Sequence, residues 1–327
     1  MKLQIKSTIL FLVFFFISTP ARAEYDFQVG GLYYKVISLE DLTCSVVNPE
    51  GSVDKTYRGD IVIPDTVSIG GRVFKIIKIS SRAFTLSKIT SIVIGENVRE
   101  IEAAAFNASF QLVRVSMGNG VQIIGRRAFS GCENLKYLKL STDLREIHAE
   151  AFTGLKSLTG IITIPSTCKW VGAENFTEIR GGFSIKIEDG STPLQMFDFA
   201  FGLYGGNSIY VGRNLQSDNH HPGLYEYGEI IFGDEVTEMP ACYRTNEQWR
   251  NSPDKKIRRL IIGKSIKEIP SIFMDIEYLE IRNPEPPAVN EFLEKVYVDT
   301  KLCVPKGSLS KYRTAEGWKK FWTIEEI

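Results

Sequence analysis

Histidine is scarce in this chain: three among 327 residues, two of them adjacent. So few imidazoles leave little material for a histidine-built metal centre or proton relay. His220 and His221 stand beside Asp218 in a polar stretch, yet neighbouring histidines seldom turn toward one ion, and no further ligands follow at metal spacing. His148, between Ile147 and the Ala151–Phe152 pair, reads as an exposed structural residue. Also absent are a Gly-x-Ser-x-Gly elbow, a His-Glu-x-x-His pair, a phosphate loop and a dinucleotide fingerprint. The expectation is a non-catalytic protein with no metal and no cofactor.

Net charge is lacking too, with 39 basic and 39 acidic residues. Such a balance gives no general attraction to nucleic acid or to an anionic membrane. Cysteine is limited to Cys44, Cys132, Cys168, Cys242 and Cys303, an odd and scattered set that makes no disulfide framework. Long apolar runs are missing after the first twenty residues. The one run present, Thr8 to Ser18, is eleven residues long, too short for the ~20 of a membrane span. It follows Lys2 and Lys6 and precedes Ala21-Arg22-Ala23, the pattern of a cleaved signal peptide over residues 1–23. Cleavage would leave 36 basic against 39 acidic residues and no span in the mature chain. The expected product is exported, either secreted or held at the cell surface or outer envelope.

What the chain has in quantity is phenylalanine at a fixed interval. Phe84, Phe106, Phe129, Phe152 and Phe176 are 22, 23, 23 and 24 residues apart, and four of the five follow alanine; Asn175 precedes the fifth. Five residues before each stands Ile79, Ile101, Ile124, Ile147 or Val171. Each unit also carries an alternating segment: Ile92-x-Ile94, Val115-x-Met117, Leu138-x-Leu140, Ile162-x-Ile164. Alternation sends one set of side chains inward and the other to solvent, as in a strand. A unit of this size cannot bury its own apolar set, so the units must stack, strand parallel to strand, with the phenylalanines in an interior column. Cys132 takes the place of Ser109 and Leu155, and Cys168 that of Val98 and Val121, so both are expected in the core.

The run Ile124-Gly125-Arg126-Arg127-Ala128-Phe129-Ser130-Gly131-Cys132-Glu133-Asn134-Leu135 resembles the BspA-like class of bacterial leucine-rich repeats, and so does Ile162-Thr163-Ile164-Pro165-Ser166. Tyr25-Asp26-Phe27-x-Val29-Gly30-Gly31-Leu32-Tyr33-Tyr34 is similar to the opening of such proteins. Val304-Pro305-Lys306-Gly307-Ser308-Leu309, with Tyr312 and Gly317-Trp318-Lys319, is similar to their close. The resemblance implies a leucine-rich-repeat solenoid, a curved parallel β-sheet with irregular or short helical returns. It also implies, for some members, adhesion to host or microbial proteins.

The expected organisation is an N-terminal cap over residues 24–72, with a β-hairpin at Gly30-Gly31 and a first repeat-like strand at Asp60–Pro64. Regular repeats fill residues 73–190. Irregular ones fill 191–287, with polar turns at 213–227 and 244–256 projecting from the stack, and Pro284, Pro286 and Pro287 closing the strand series. Residues 288–327 form a C-terminal cap with a short helix within Ser308–Phe321. The outward residues Arg114, Ser116, Lys136, Tyr137, Lys139 and Lys186 form a mildly basic strip and are the candidate binding residues. The function expected is protein–protein interaction or adhesion, with a protein ligand on a host or microbial surface. The alternative is glycan binding or an enzyme-accessory role in the bacterial cell envelope, which would call for more exposed aromatics than Tyr137.

Overall fold

A single repeat shows how the chain turns. Ile123–Ile124 is a two-residue strand, the chain bends through Ala128-Phe129, and Tyr137–Lys139 forms a second, separate strand before the next repeat begins at Glu146–Ile147. A repeat of this kind thus contributes to two parallel ladders. The computed structural model describes residues 25–49, 57–179, 182–202, 206–217, 223–224, 227–240, 256–272 and 274–327. The leader-like segment, Asp218, His220, His221 and Cys242 lie outside the described residues.

The alternating segments pair in parallel as the sequence pattern requires. Arg58–Ile63, Lys88–Ile94, Arg114–Met117 and Tyr137–Lys139 form one sheet, and a second begins at Gly160–Ile164 and runs to the C-terminal end. Ile92, Ile94, Val115, Met117, Ile162 and Ile164 all point inward, with at most 1% of their surface exposed. The other ladder is built of the aliphatic positions that precede each phenylalanine. Ile79, Ile101, Ile124, Ile147 and Val171 follow one another in register. With two residues per strand, this ladder has no alternation to betray it in the sequence.

Between the ladders, the bend is held by backbone strain and cross-turn hydrogen bonds. Arg82, Ala104, Arg127, Glu150 and Glu174, each two residues before its phenylalanine, have φ between 55° and 59°. This left-handed conformation costs a non-glycine residue about 1–2 kcal/mol. It is offset by aiming the amide at the next turn: Arg82 donates to the Ala103 carbonyl, Ala104 to Arg126 and Arg127 to Ala149. The phenylalanine amides do the same, Phe84 to Ala105 O (2.6 Å), Phe106 to Ala128 O (2.7 Å) and Phe129 to Ala151 O (2.9 Å). Alanine precedes phenylalanine because this residue is fully buried against the neighbouring turn.

Asn175 breaks that rule and repairs it with its side chain. The Phe152 amide donates to Asn175 Oδ1 (3.3 Å), while Asn175 Nδ2 donates to the carbonyls of His148 (3.0 Å) and Gly172 (2.9 Å). A side-chain amide thereby stands in for the backbone link of the earlier turns.

The phenylalanine column is real and longer than its five sequence members. Ring centroids are 5.0 Å apart for Phe84–Phe106, 4.8 Å for Phe106–Phe129, 5.7 Å for Phe129–Phe152 and 5.2 Å for Phe152–Phe176. Tyr57 extends it at one end (4.5 Å from Phe84) and Phe183 at the other (6.3 Å from Phe176). Phe201, also preceded by alanine and 25 residues after Phe176, is fully buried.

Both ends of the stack differ from its middle. Phe27–Val29 and Leu32–Ser38 form the antiparallel hairpin expected at Gly30-Gly31, whose φ values of 60° and 81° suit glycine. Gly70-Gly71 makes a second hairpin of the same kind, between Thr66–Ile69 and Arg72–Ile79. At the other end, the prolines do not close the strand series. Lys301–Val304 and Thr323–Glu326 add two more parallel strands, because Pro284, Pro286 and Pro287 fall in a return segment where no ladder amide is needed. Helices at Glu294–Asp299 and Leu309–Thr314 pack with Phe292, Tyr297, Tyr312, Trp318 and Phe321 in an edge-to-face cluster. Described residues at the two ends of the polar stretch 213–227 are packed rather than projecting, and 244–255 lies outside the described residues. Arg213 is buried and donates to the carbonyls of Ser166 (2.8 Å) and Pro165 (3.0 Å), and Leu224 and Tyr227 are also buried. No helix among the described residues is long and apolar enough to cross a membrane.

Three substitutions test this account of the bend by urea unfolding. Phe129→Ala removes the middle of the column and is expected to cost about 3–5 kcal/mol. Asn175→Asp, which replaces a buried donor by a carboxylate facing two carbonyls, is expected to destabilise more than Asn175→Ala, which restores the Ala-Phe rule.

Candidate functional site

The outward face of the long-strand sheet is fixed by register. Asp60 pairs with Ser91, Ser91 with Arg114, and Arg114 with Tyr137; one step along, Val62 pairs with Val93, Val93 with Ser116, and Ser116 with Lys139. Four of the six residues expected to form the site are therefore direct neighbours. The Arg114 guanidinium lies over the Tyr137 ring, 5.2 Å from its centroid. Lys136 is exposed just before the strand that carries Tyr137. Lys186 sits on Phe183–Ile187, paired with Thr163, in the second sheet. It thus lies beyond the break that separates the two long-strand sheets rather than in one ladder with Lys139.

Charge on this face is less uniform than the basic residues alone suggest. Asp60 accepts from Ser91 Oγ (2.6 Å) and Thr90 Oγ1 (2.8 Å). Those bonds, with the positive charge of Arg114, hold its carboxyl below the usual carboxylate range. The face also carries exposed apolar side chains that sequence reasoning had not weighed as a group. Val62 is 64% exposed, Val93 47%, Tyr137 53% and Ile161 68%. The signal for them was available, since each sits at an outward position of an alternating strand.

A second concave region lies on the bend rather than on a sheet. It has a volume of about 520 Å³ and is lined by Arg82, Ala103, Ala104, Arg126, Arg127 and Glu150, among others. Glu150 Oε1 takes two bonds from Arg126 (Nε 3.1 Å, Nη2 2.6 Å), and Oε2 takes Arg127 Nε at 2.6 Å. Burial alone would push this carboxyl up, but the bonds from Arg126 and then Arg127 outweigh it and leave the pKa lowered.

The four described cysteines are placed away from solvent. Cys44, Cys132, Cys168 and Cys303 are unpaired and buried. Cys132 Sγ donates to the Phe106 carbonyl at 3.1 Å, as Ser109 Oγ donates to Phe84 one turn earlier. Burial pushes the Cys132 thiol up to about 12 and Cys168 up to about 11. Among the described residues, no group of three or more His, Cys, Asp or Glu is arranged to hold a metal ion. His148 Nε2 lies 3.1 Å from Glu146 Oε2, and its ring packs edge-on against Trp170 at 4.8 Å.

Residues 60–200 match the BspA type leucine rich repeat region in six copies. Residues 60–200 are thus repeats of the BspA type. Two solved structures share the fold. A leucine rich cell surface protein from Faecalibacterium prausnitzii is 18% identical over 88% of this chain and 77% of its own, with a TM-score of 0.53. A leucine-rich repeat protein from Bacteroides ovatus is 22% identical over 93% of this chain and 77% of its own, with a TM-score of 0.51. No curated protein matches the sequence. The BspA-type repeats thus account for the stacked turns of residues 60–200.

Alkylation checks the placement of the thiols. At pH 8, iodoacetamide is expected to leave Cys132 and Cys168 unmodified in the folded protein and to label both after denaturation, as read by peptide mass mapping. Labelling of either in the native state at the rate of a free cysteine would contradict their place in the core.

Proposed function

We propose that this chain is an exported, non-catalytic interaction protein that binds a protein partner on a host or microbial surface through the outward face of its long strands. One observation carries the reading. Val62, Val93 and Tyr137, all about half or more exposed, occupy the outward rows that hold Arg114 and Lys139, and Ile161 is exposed on the first strand of the second sheet. Large apolar side chains rarely gather on a solvated sheet face without a use, and patches that mix aromatics, arginine and aliphatics resemble the cores of protein interfaces.

The Arg114–Tyr137 pair is the natural anchor, since tyrosine and arginine dominate binding hot spots and a stacked pair loses little freedom on binding. Ser116 between them and Lys139 leaves room for a partner side chain, while Lys136 and Lys186 flank the patch and favour a partner with an acidic rim. Export is supported by the leader-like residues 1–23 and accords with the Faecalibacterium neighbour being a cell surface protein.

Arrays of matrix proteins and of glycans, probed with the purified mature chain, test the reading. Binding to one or more of the proteins is expected. Tyr137→Ala and the combined Arg114→Glu/Lys139→Glu/Lys186→Glu variant are each expected to weaken it about tenfold or more. Unchanged binding by both variants would remove this face as the site.

A further inference from the structure

The depression on the bend owes its shape to missing bulk. The same two positions of successive repeats are Ser81-Arg82, Ala103-Ala104, Arg126-Arg127 and Ala149-Glu150. Repeat spacing sets these pairs side by side, as the amide bonds from Arg82 to Ala103 and from Ala104 to Arg126 record. The two alanines therefore open a notch one turn wide between an arginine on one side and two arginines on the other. Ser81, Thr85, Asn107 and Ser130 complete a polar lining.

Two of the three charges in the notch are fixed, and the three together are incompletely neutralised. Arg126 and Arg127 are both tied to the one carboxylate of Glu150, which is only 16% exposed, yet their own side chains remain 61% and 52% exposed. Arg82 makes no ion pair among the described residues, so three guanidiniums face one acid. Guanidinium groups held in place in this way are suited to planar or tetrahedral oxyanions, because less freedom is lost on binding. The volume, about 520 Å³, falls in the range of small-molecule sites.

A second feature points to the kind of molecule that bears the anion. Two residues before Glu150, His148 packs edge-on against Trp170, which packs edge-on against Phe197 at 5.4 Å and 70°. His148 shares the turn of Glu150, while Trp170 and Phe197 stand one and two turns farther from Arg82; all three rings are half-buried. Half-buried rings in line with polar donors suit a chain of sugar units, apolar C–H surface against the rings and acid groups against the donors.

From this arrangement we infer a second binding site, separate from the long-strand face, that takes an acidic saccharide, its carboxylate or sulfate seated between Arg82 and Arg126-Arg127. Ala103 and Ala104 act as the specificity-determining residues by leaving the space. The site does not depend on the protein-binding face, and either can fail alone.

Titration calorimetry of the whole chain with a heparin-derived hexasaccharide tests it. Saturable binding is expected, weakened tenfold or more by Arg82→Ala, and equally by Ala103→Tyr, which fills the notch without changing charge. Lys139→Glu, on the other face, is expected to bind as the parent does. Circular dichroism verifies that each variant is folded, which the exposure of Arg82 and Ala103 favours. No measurable binding overturns the inference, as does parental affinity in both Arg82→Ala and Ala103→Tyr, the mark of diffuse attraction. Displacement of the hexasaccharide by inorganic sulfate at equal concentration would reduce the site to a simple anion site. Equal displacement by poly-glutamate would make the ligand an acidic peptide. Either result overturns the saccharide assignment.

Discussion

Parallel strands lie about 4.8 Å apart, and a chain that returns to the same strand position every turn must place equivalent side chains at that separation. The rest of this molecule follows from that spacing. It falls within the centroid separation of offset-stacked aromatic rings, so a phenylalanine at one position of every turn becomes a column with centroids 4.8–5.7 Å apart over its central members. It also demands a small residue beside each ring, which alanine supplies, and an amide aimed at the next turn, which the left-handed residues supply. The column, the strain and the cross-turn bonds are three consequences of one distance.

The same spacing explains where variation is tolerated. One inward position holds Ser109, Cys132 and Leu155 in successive turns, all fully buried, the first two each donating to a carbonyl of the turn before. Asn175 shows the exception that obeys the rule, because its amide group supplies the donors and acceptor the turn requires. Outward positions carry no such demand. They hold Ser91, Arg114 and Tyr137 along one row and an alternation of bulk and absence along the bend, and it is there that binding can be specified without disturbing the stack.

How much of this could be read from residues alone depends on whether a feature repeats. The phenylalanine interval, the aliphatic residue five before it and the alternating strands recur, and together they disclosed the solenoid and the core places of Cys132 and Cys168. The short-strand ladder stayed hidden because two residues cannot alternate. Gly70-Gly71 carried the same hairpin signal as Gly30-Gly31, and Ala200-Phe201 the same signal as the earlier pairs, but the longer 25-residue step obscured the latter. Arg213 was illegible for another reason: a charged residue in a polar stretch reads as exposed, and its burial is decided by carbonyls 47 and 48 residues away. The outward strip was found residue by residue, although its break before Lys186 required the register. The arginine notch emerges only when successive turns are laid side by side, since what makes it is the lack of bulk at Ala103 and Ala104.

The central claim is a division of labour with period two: inward residues build and outward residues bind. A substitution scan from Tyr137 to Leu140, read for both melting temperature and binding to the strongest-binding array protein, tests it most directly. Alternation is the expected result, with Tyr137 and Lys139 lowering binding at unchanged melting temperature, and Leu138 and Leu140 lowering the melting temperature first. A scan in which stability and binding fall together at all four positions, or in which binding ignores Tyr137 and Lys139, would contradict the account.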